Sequence, residues 1–150
     1  MPENSVHERR SRADYNHWTT VTIRYCDQDP IGHINNAAMA AFLEQARVAL
    51  VYPTLKRFGG PDLELVIARL VIDYLNELHF PGSVDVGTRI ARLGTKSFKL
   101  QHGVFMAGDE TCAALAECTM VFFDVRNRAS VLPPPEVRAA LEDFMRRQPA

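Results

Sequence analysis

Polar and apolar residues alternate over Thr20-Val21-Thr22-Ile23-Arg24-Tyr25, the period-two signature of a half-buried strand, so Thr19 to Tyr25 is predicted as the first β element. The period then changes. From Ala37 to Tyr52 nearly every position is apolar, and Glu44, Gln45 and Arg47 supply the main polar surface; this reads as a helix buried on most sides. Asn35 or Asn36 is a good N-cap for it, and Pro53 followed by Gly59-Gly60-Pro61 is expected to end it. Strand patterns follow over Leu65 to Leu75, Val84 to Leu93, Phe98 to Met106 and Thr111 to Val125. The first of these places Val66, Ala68, Leu70, Ile72 and Tyr74 on one face and Arg69 and Asp73 on the other. After Pro133-Pro134-Pro135, the positions Val137, Leu141, Phe144 and Met145 mark one face of a short amphipathic helix.

One strand, one buried helix, a four-strand meander and a terminal helix define an α+β chain. Its antiparallel sheet, of about five strands, should wrap a single long central helix. A single domain over residues 18–147 is expected behind a polar, partly basic arm, residues 1–17, that reads as loosely ordered. The arm, with His7, Arg9, Arg10 and Arg12, lacks the apolar stretch of a signal peptide, and no run in the chain is long enough to span a bilayer. One small sheet around one helix leaves open edges, so a homodimer or homotetramer is expected.

Composition narrows the partners. The chain has 150 residues, 47% of them apolar and 23% charged, as an ordinary globular domain does, and its formal charge of −1 provides no field for nucleic acid or an anionic membrane. Three cysteines, Cys26, Cys112 and Cys118, are odd in number and form no CxxC pair, which fits a reducing, cytoplasmic setting rather than a disulfide framework.

Chemistry concentrates in one place. Arg24 to Asn36 packs Asp27, Asp29, His33, Asn35 and Asn36 into a loop between the first strand and the central helix. Free N–H groups and the macrodipole at a helix start can stabilise an oxyanion there. Asp29 could act as nucleophile or as general base on water, and its bland role is a turn carboxylate, since Asp-Pro starts turns. Asp27 reads as structural, accepting N–H bonds within the loop. His33 could orient Asp29 or bind a carbonyl; one asparagine should cap the helix while the other touches substrate. Glu44 and Arg47 have the spacing of an intrahelical ion pair. No metal is expected, because His7, His17, His33, His79 and His102 lack ligand spacing and Asp27-Gln28-Asp29 lacks the rest of a calcium loop. No Gly-x-Ser-x-Gly elbow is present.

Tyr25-x-Asp27-x-Asp29-Pro30-x-Gly32-His33-x-Asn35-Asn36, followed by Phe42-Leu43-Glu44-x-Ala46-Arg47, resembles the signature of hotdog-fold acyl thioesterases, in particular the 4-hydroxybenzoyl-CoA thioesterase-like family. The likeness continues through Ile72-Asp73-Tyr74 and Ala91 to Phe98, and covers residues 19–125. It implies a hotdog fold and hydrolysis of an acyl-CoA thioester without a cofactor. Asp29 would be the catalytic carboxylate, His33 its companion, and N–H groups near Asn36 and Ala37 the oxyanion hole. Asn35, Asn36, Ala37, Lys96 and Ser97 would contact substrate; Lys96 and Arg92, by the Gly94-Thr95 turn, could meet the CoA phosphates or simply be solvated surface. The resemblance also implies dimers or tetramers with sites at the subunit interface. Met39 departs from a tyrosine common in the family, and His33 with Asn35 favours an aliphatic over a benzoyl group. Three other functions compete: a thioesterase for acyl-carrier protein, a hotdog hydratase or dehydratase, and a non-catalytic acyl-CoA binding module. Hydration chemistry fits poorly, since Asp29 stands where that site has asparagine and His33 falls one residue late.

Overall fold

A computed structural model describes residues 9–150; the first part of the expected arm, including His7, lies outside the described residues. In chain order the elements are β1 (His17–Thr22), α1 (Asn36–Phe58), β2 (Leu63–Tyr74), β3 (Ser83–Leu93), β4 (Ser97–Met106), β5 (Cys112–Asp124), β6 (Ala129–Ser130) and α2 (Pro135–Arg146). The strands form one antiparallel sheet in the order β1-β3-β4-β5-β2, with the two-residue β6 added to β5. Curled around α1, this sheet is the hotdog arrangement.

The expected four-strand meander is reduced to β3-β4-β5. Strand β2 pairs with β5 at the far edge instead of with β3. The cause is the helix: α1 leaves the β1 edge, crosses the concave face and delivers the chain to the opposite edge. The segment from β2 to β3 must then return across the sheet. On its way Leu78 C=O accepts the Ile34 N–H at 3.0 Å and Gly82 C=O accepts the Ile23 N–H at 2.9 Å. That return passes beside the polar loop, and the site is built where they meet.

Helix α1 is longer than the pattern suggests and continues through Pro53 to a cap at Gly59. Proline removes one helical hydrogen bond. The turns on either side of it bury Val51 and Leu55 against Phe98, Leu100 and Phe122, and that burial outweighs the break. The N-terminal half of α1 buries Met39, Phe42, Leu43 and Ala46 against Val84, Val86 and Val104 of the sheet.

Strand β2 does not keep the single face that strict alternation assigns. The register shifts between Ile67 and Arg69, where a bulge inserts one residue. Leu63 and Leu65 therefore pack inward before it and Leu70 and Ile72 after it, leaving Val66 exposed; Tyr74 keeps the parity of Leu70 and Ile72 and is exposed at the end of the strand.

The expected loose arm is ordered over its described part. Ser11 caps a short 3₁₀ turn, Arg12–Asp14, and Tyr15 is buried on the outer sheet face with Phe105 and Leu115. Gly87 and Gly103 oppose each other on β3 and β4, and a Cβ at Gly87 would lie 2.6 Å from the Tyr15 ring. The two glycines are the seat of that ring. Arg12 also bonds the Asp85 carboxylate at 3.0 Å. At the other end, beyond residue 147, the Gln148 carboxamide exchanges hydrogen bonds with the Ile90 backbone.

Candidate active site

Between β1 and α1 the chain makes a 3₁₀ turn, Tyr25–Asp27, and then a tight loop pinned by an isolated bridge between Gln28 and Ile34. Asp27 is buried. Its carboxylate accepts the Arg24 backbone N–H at 2.7 Å and the Arg24 guanidinium at 2.8 Å, and its C=O accepts the Asn35 N–H at 2.7 Å. The Arg24 hydrogen bond holds this carboxyl below the usual carboxylate range, against the opposing effect of burial. Asp27 is thus the structural carboxylate that its place in the loop suggests.

Asp29 is arranged differently. Its Oδ1 accepts the N–H groups of Ile31 and His33, each at 3.0 Å, while its own N–H donates to the His33 C=O at 2.7 Å. This is an Asx turn, closed by Gly32 with φ of +86°, a conformation that glycine adopts without strain. Its second oxygen, Oδ2, has no hydrogen-bond partner among the described residues. The carboxylate is fixed by one oxygen and free at the other.

Asp29, His33, Asn36 and Met39 face Tyr74 and Glu77 across a cavity of about 250 Å³. His33 Nε2 lies 3.3 Å from Glu77 Oε1, and His79 Nε2 lies 3.3 Å from Glu77 Oε2, so one carboxylate joins two imidazoles. The Tyr74 phenol donates to the Asn36 C=O at 3.1 Å, and burial raises its pKa, so it remains a neutral donor. The alternation pattern marked Tyr74 as a core position and gave no signal for Glu77 or His79. They reach the site only because the segment after β2 returns across the sheet before β3. Among the described residues, no group of three or more His, Cys, Asp or Glu side chains is placed to hold a metal ion.

At the helix start, Asn35 is the N-cap and its Oδ1 accepts the Ala37 N–H at 2.8 Å. The expected oxyanion donor at Ala37 is therefore engaged, because an N-cap satisfies the N–H two residues on. The N–H groups of Asn36 and Ala38 have no acceptor among the described residues. Lys96 and Ser97 lie elsewhere. They line a separate cavity of about 500 Å³ with Arg92 and Lys99 at the β3–β4 turn. Strand β3 starts beside the loop and ends near that turn, roughly 33 Å away at the usual rise per residue. Within one chain the structure does not join them to Asp29.

Residues 21–141 match the model of the thioesterase-like superfamily. The chain belongs to that superfamily. Membership makes thioester hydrolysis the activity of this thioesterase-like chain at the level of class. Solved structures agree on the fold. The PA5185 protein of Pseudomonas aeruginosa is 29% identical, with a TM-score of 0.78 over 89% of this chain and 94% of that one. A Thermus thermophilus thioesterase, solved with coenzyme A and zinc, is 25% identical, with a TM-score of 0.75 over 91% of this chain and 98% of that one. The Staphylococcus aureus protein SAV2348, solved in complex with CoA, has a TM-score of 0.80 at 18% identity, over 89% of this chain and 86% of that one, and speaks for the fold alone. No curated relative matches by sequence. No helix among the described residues of this thioesterase-like chain is long and apolar enough to cross a membrane.

Proposed function

We propose that the protein hydrolyses an acyl-CoA thioester to the free acid and CoA, as a member of the 4-hydroxybenzoyl-CoA thioesterase-like branch. The observation that carries this reading is the Asp29 carboxylate, pinned at Oδ1 by two backbone N–H groups and open at Oδ2, beside uncapped N–H groups of α1. A thioester carbonyl set against the Asn36 N–H would have its developing oxyanion stabilised by a fixed dipole. Asp29 then either takes the proton of an attacking water or attacks the carbonyl itself to form a mixed anhydride, which water hydrolyses. In both routes the C–S bond breaks and the CoA thiolate leaves to be protonated. Glu77 holds the His33 ring from the far side, which suits His33 to orient the carbonyl or the water.

The Thermus thermophilus thioesterase solved with coenzyme A supports CoA as the leaving group. The edge strand β2, twelve residues long with Val66, Ile67 and Tyr74 exposed, supports a second copy of the chain on that side. Such a copy could bring its own Lys96 and Ser97 toward the site, which one chain alone does not. The experiment is thiol release from a panel of acyl-CoAs, short to long and aromatic, with the wild type beside Asp29→Asn. Hydrolysis by the wild type and its loss in the variant are expected. Equal rates for the two proteins would refute Asp29 as the reactive carboxylate. Silence on every CoA ester, with activity on acyl-carrier protein, would move the substrate to the carrier protein. Solvent ¹⁸O found in Asp29 after single turnovers would select the anhydride route.

A further inference from the structure

The central helix carries a buried guanidinium that, among the described residues, meets one long ion pair and no hydrogen bond at Nη1. Arg47 points into the core side of α1 with its side chain only 8% exposed. Its Nη1 is buried with no hydrogen-bond partner, and Nη2 comes no nearer than 3.8 Å to the Glu44 carboxylate, which is itself 71% exposed. A guanidinium offers a fixed fork of donors, and leaving it desolvated and unpaired is costly. The neighbouring core does not repay that cost. His102 is fully buried, hydrogen-bonded at Nδ1 to Thr88 Oγ1, and kept neutral by burial and by Arg47 itself. Burial likewise pushes the Cys118 thiol up to about 11. The buried carboxylate on β5, Glu117, is already paired with Lys99 at 3.1 Å and Arg69 at 3.5 Å.

Arg47 does face open space. It lines two adjoining cavities between α1 and β2, of about 280 and 470 Å³, which also share Glu44 and Ile67. The rest of the first wall is mostly apolar, with Val51, Leu55 and Met120 among its residues. Glu44 and Glu64 stand at the rim, exposed to water. The lining residues that α1 contributes follow one another along the helix. The Asp29 cavity takes Asn36 and Met39 from α1, the next takes Ala40, Ala41, Glu44 and Arg47, and the last runs on to Leu55. From Asn36 to Arg47 the helix rises about 16 Å, and an extended chain covers that span in about 13 bonds.

We propose that the acyl groups taken by this protein carry an oxygen acceptor, best a carboxylate, at the end remote from the thioester, and that Arg47 binds it in the α1–β2 groove. The proposal rests on the thioester-hydrolysis reading of the Asp29 site. Between the two ends Ala40, Ala41, Ala68 and Leu70, with Glu44 and Arg69 beside them, would hold the methylene chain, and the guanidinium fork would receive the distal group with paired hydrogen bonds. An acyl chain with a terminal methyl would leave Arg47 desolvated and unpaired. Selectivity then comes from the penalty on the wrong substrate.

The test compares dodecanoyl-CoA, ω-hydroxydodecanoyl-CoA and the mono-CoA thioester of dodecanedioic acid. The diacid ester should exceed the plain ester in kcat/KM by about tenfold or more, with the hydroxy ester between them. Arg47→Met, which keeps an unbranched chain in the core, should collapse that ratio toward one, and Arg47→Lys should keep part of it. Free dodecanedioate and dodecanoate are also titrated calorimetrically into Asp29→Asn, with tighter binding of the diacid expected; this arm needs no turnover and no change at Arg47. Equal kcat/KM for the three esters, or equal binding of the two acids, overturns the proposal while leaving thioester hydrolysis intact. A ratio that survives in Arg47→Met overturns it as well. If that variant also sediments as a smaller oligomer, the acceptor for Arg47 belongs to a second copy of the chain. Absence of any CoA-ester hydrolysis would instead count against the function, and diacid binding would still decide the role of Arg47.

Discussion

The front half of the loop, Arg24 to Asp27, and its back half, Asp29 to Asn36, use the same kind of residue for opposite ends. Asp27 is 3% exposed, and both its oxygens are taken by Arg24. Asp29 is half-buried, with one oxygen taken and one free toward a cavity. The front carboxylate is saturated and therefore inert; its work is to hold the turn and, through its C=O, the N–H of Asn35 at the helix start. The back carboxylate is oriented but unfinished. Two residues apart, the difference between a brace and a carboxylate free to react, as proposed for Asp29, lies in how many acceptor sites the fold leaves open.

The largest effect should separate the halves. Asp29→Asn keeps the shape and the N–H contacts but removes basicity and nucleophilicity, and should lower turnover by about 10³-fold with Tm nearly unchanged. Asp27→Asn should do the reverse: Tm falls by about 5 °C because a buried charged hydrogen-bond set is lost, while turnover per folded molecule falls far less than for Asp29→Asn. Paired melting curves and steady-state rates of the two variants check this, and loss of turnover from both would erase the distinction. His33→Ala removes the ring that Glu77 holds and should cost about tenfold to a hundredfold in kcat, because the His33 N–H that fixes Asp29 belongs to the backbone and survives. A drop as large as that of Asp29→Asn would make His33 an equal partner in the chemistry.

A smaller effect concerns acid. Burial, helped by Arg47 and His17, brings His102 down to about 3. The unfolded chain therefore binds a proton near pH 6.5 that the folded chain refuses, and stability declines as pH drops from there toward 3. Asp27 acts in the same direction at lower pH, since its folded pKa is depressed and its contribution is lost as the carboxyl is protonated. Tm measured against pH should show both slopes in the wild type, with the lower one missing in Asp27→Asn. A wild-type profile flat from pH 6.5 downward would contradict the neutral buried state of His102.

Much of this molecule is readable in its sequence. The loop, the N-cap, the apolar helix and the strand segments are local patterns, and periodicity with turn chemistry locates them without reference to the rest of the chain. Asp29 stands out for the same reason: the Asp-Pro-x-Gly-His stretch builds its own Asx turn. Other features depend on distant residues. Pro53 looks like a helix end until Val51 and Leu55 find the sheet. Tyr15 looks like part of a loose arm until Gly87 and Gly103, paired across two strands, make room for its ring. Val66 looks like core until a bulge turns its face outward.

The sequence by itself determined most of the elements, the fold class and the polar Asp29 loop, because each is set by contacts a few residues apart. Only the tertiary structure decided that β2 sits at the far edge and brings Tyr74, Glu77 and His79 to Asp29. It alone separated Lys96 and Ser97 from that site, passed the Ala37 N–H to the Asn35 cap, and left the Arg47 guanidinium buried against a groove. Those outcomes turn on strand order, on a one-residue bulge and on which polar atoms find partners, and such long-range geometry is not encoded in any local run of residues.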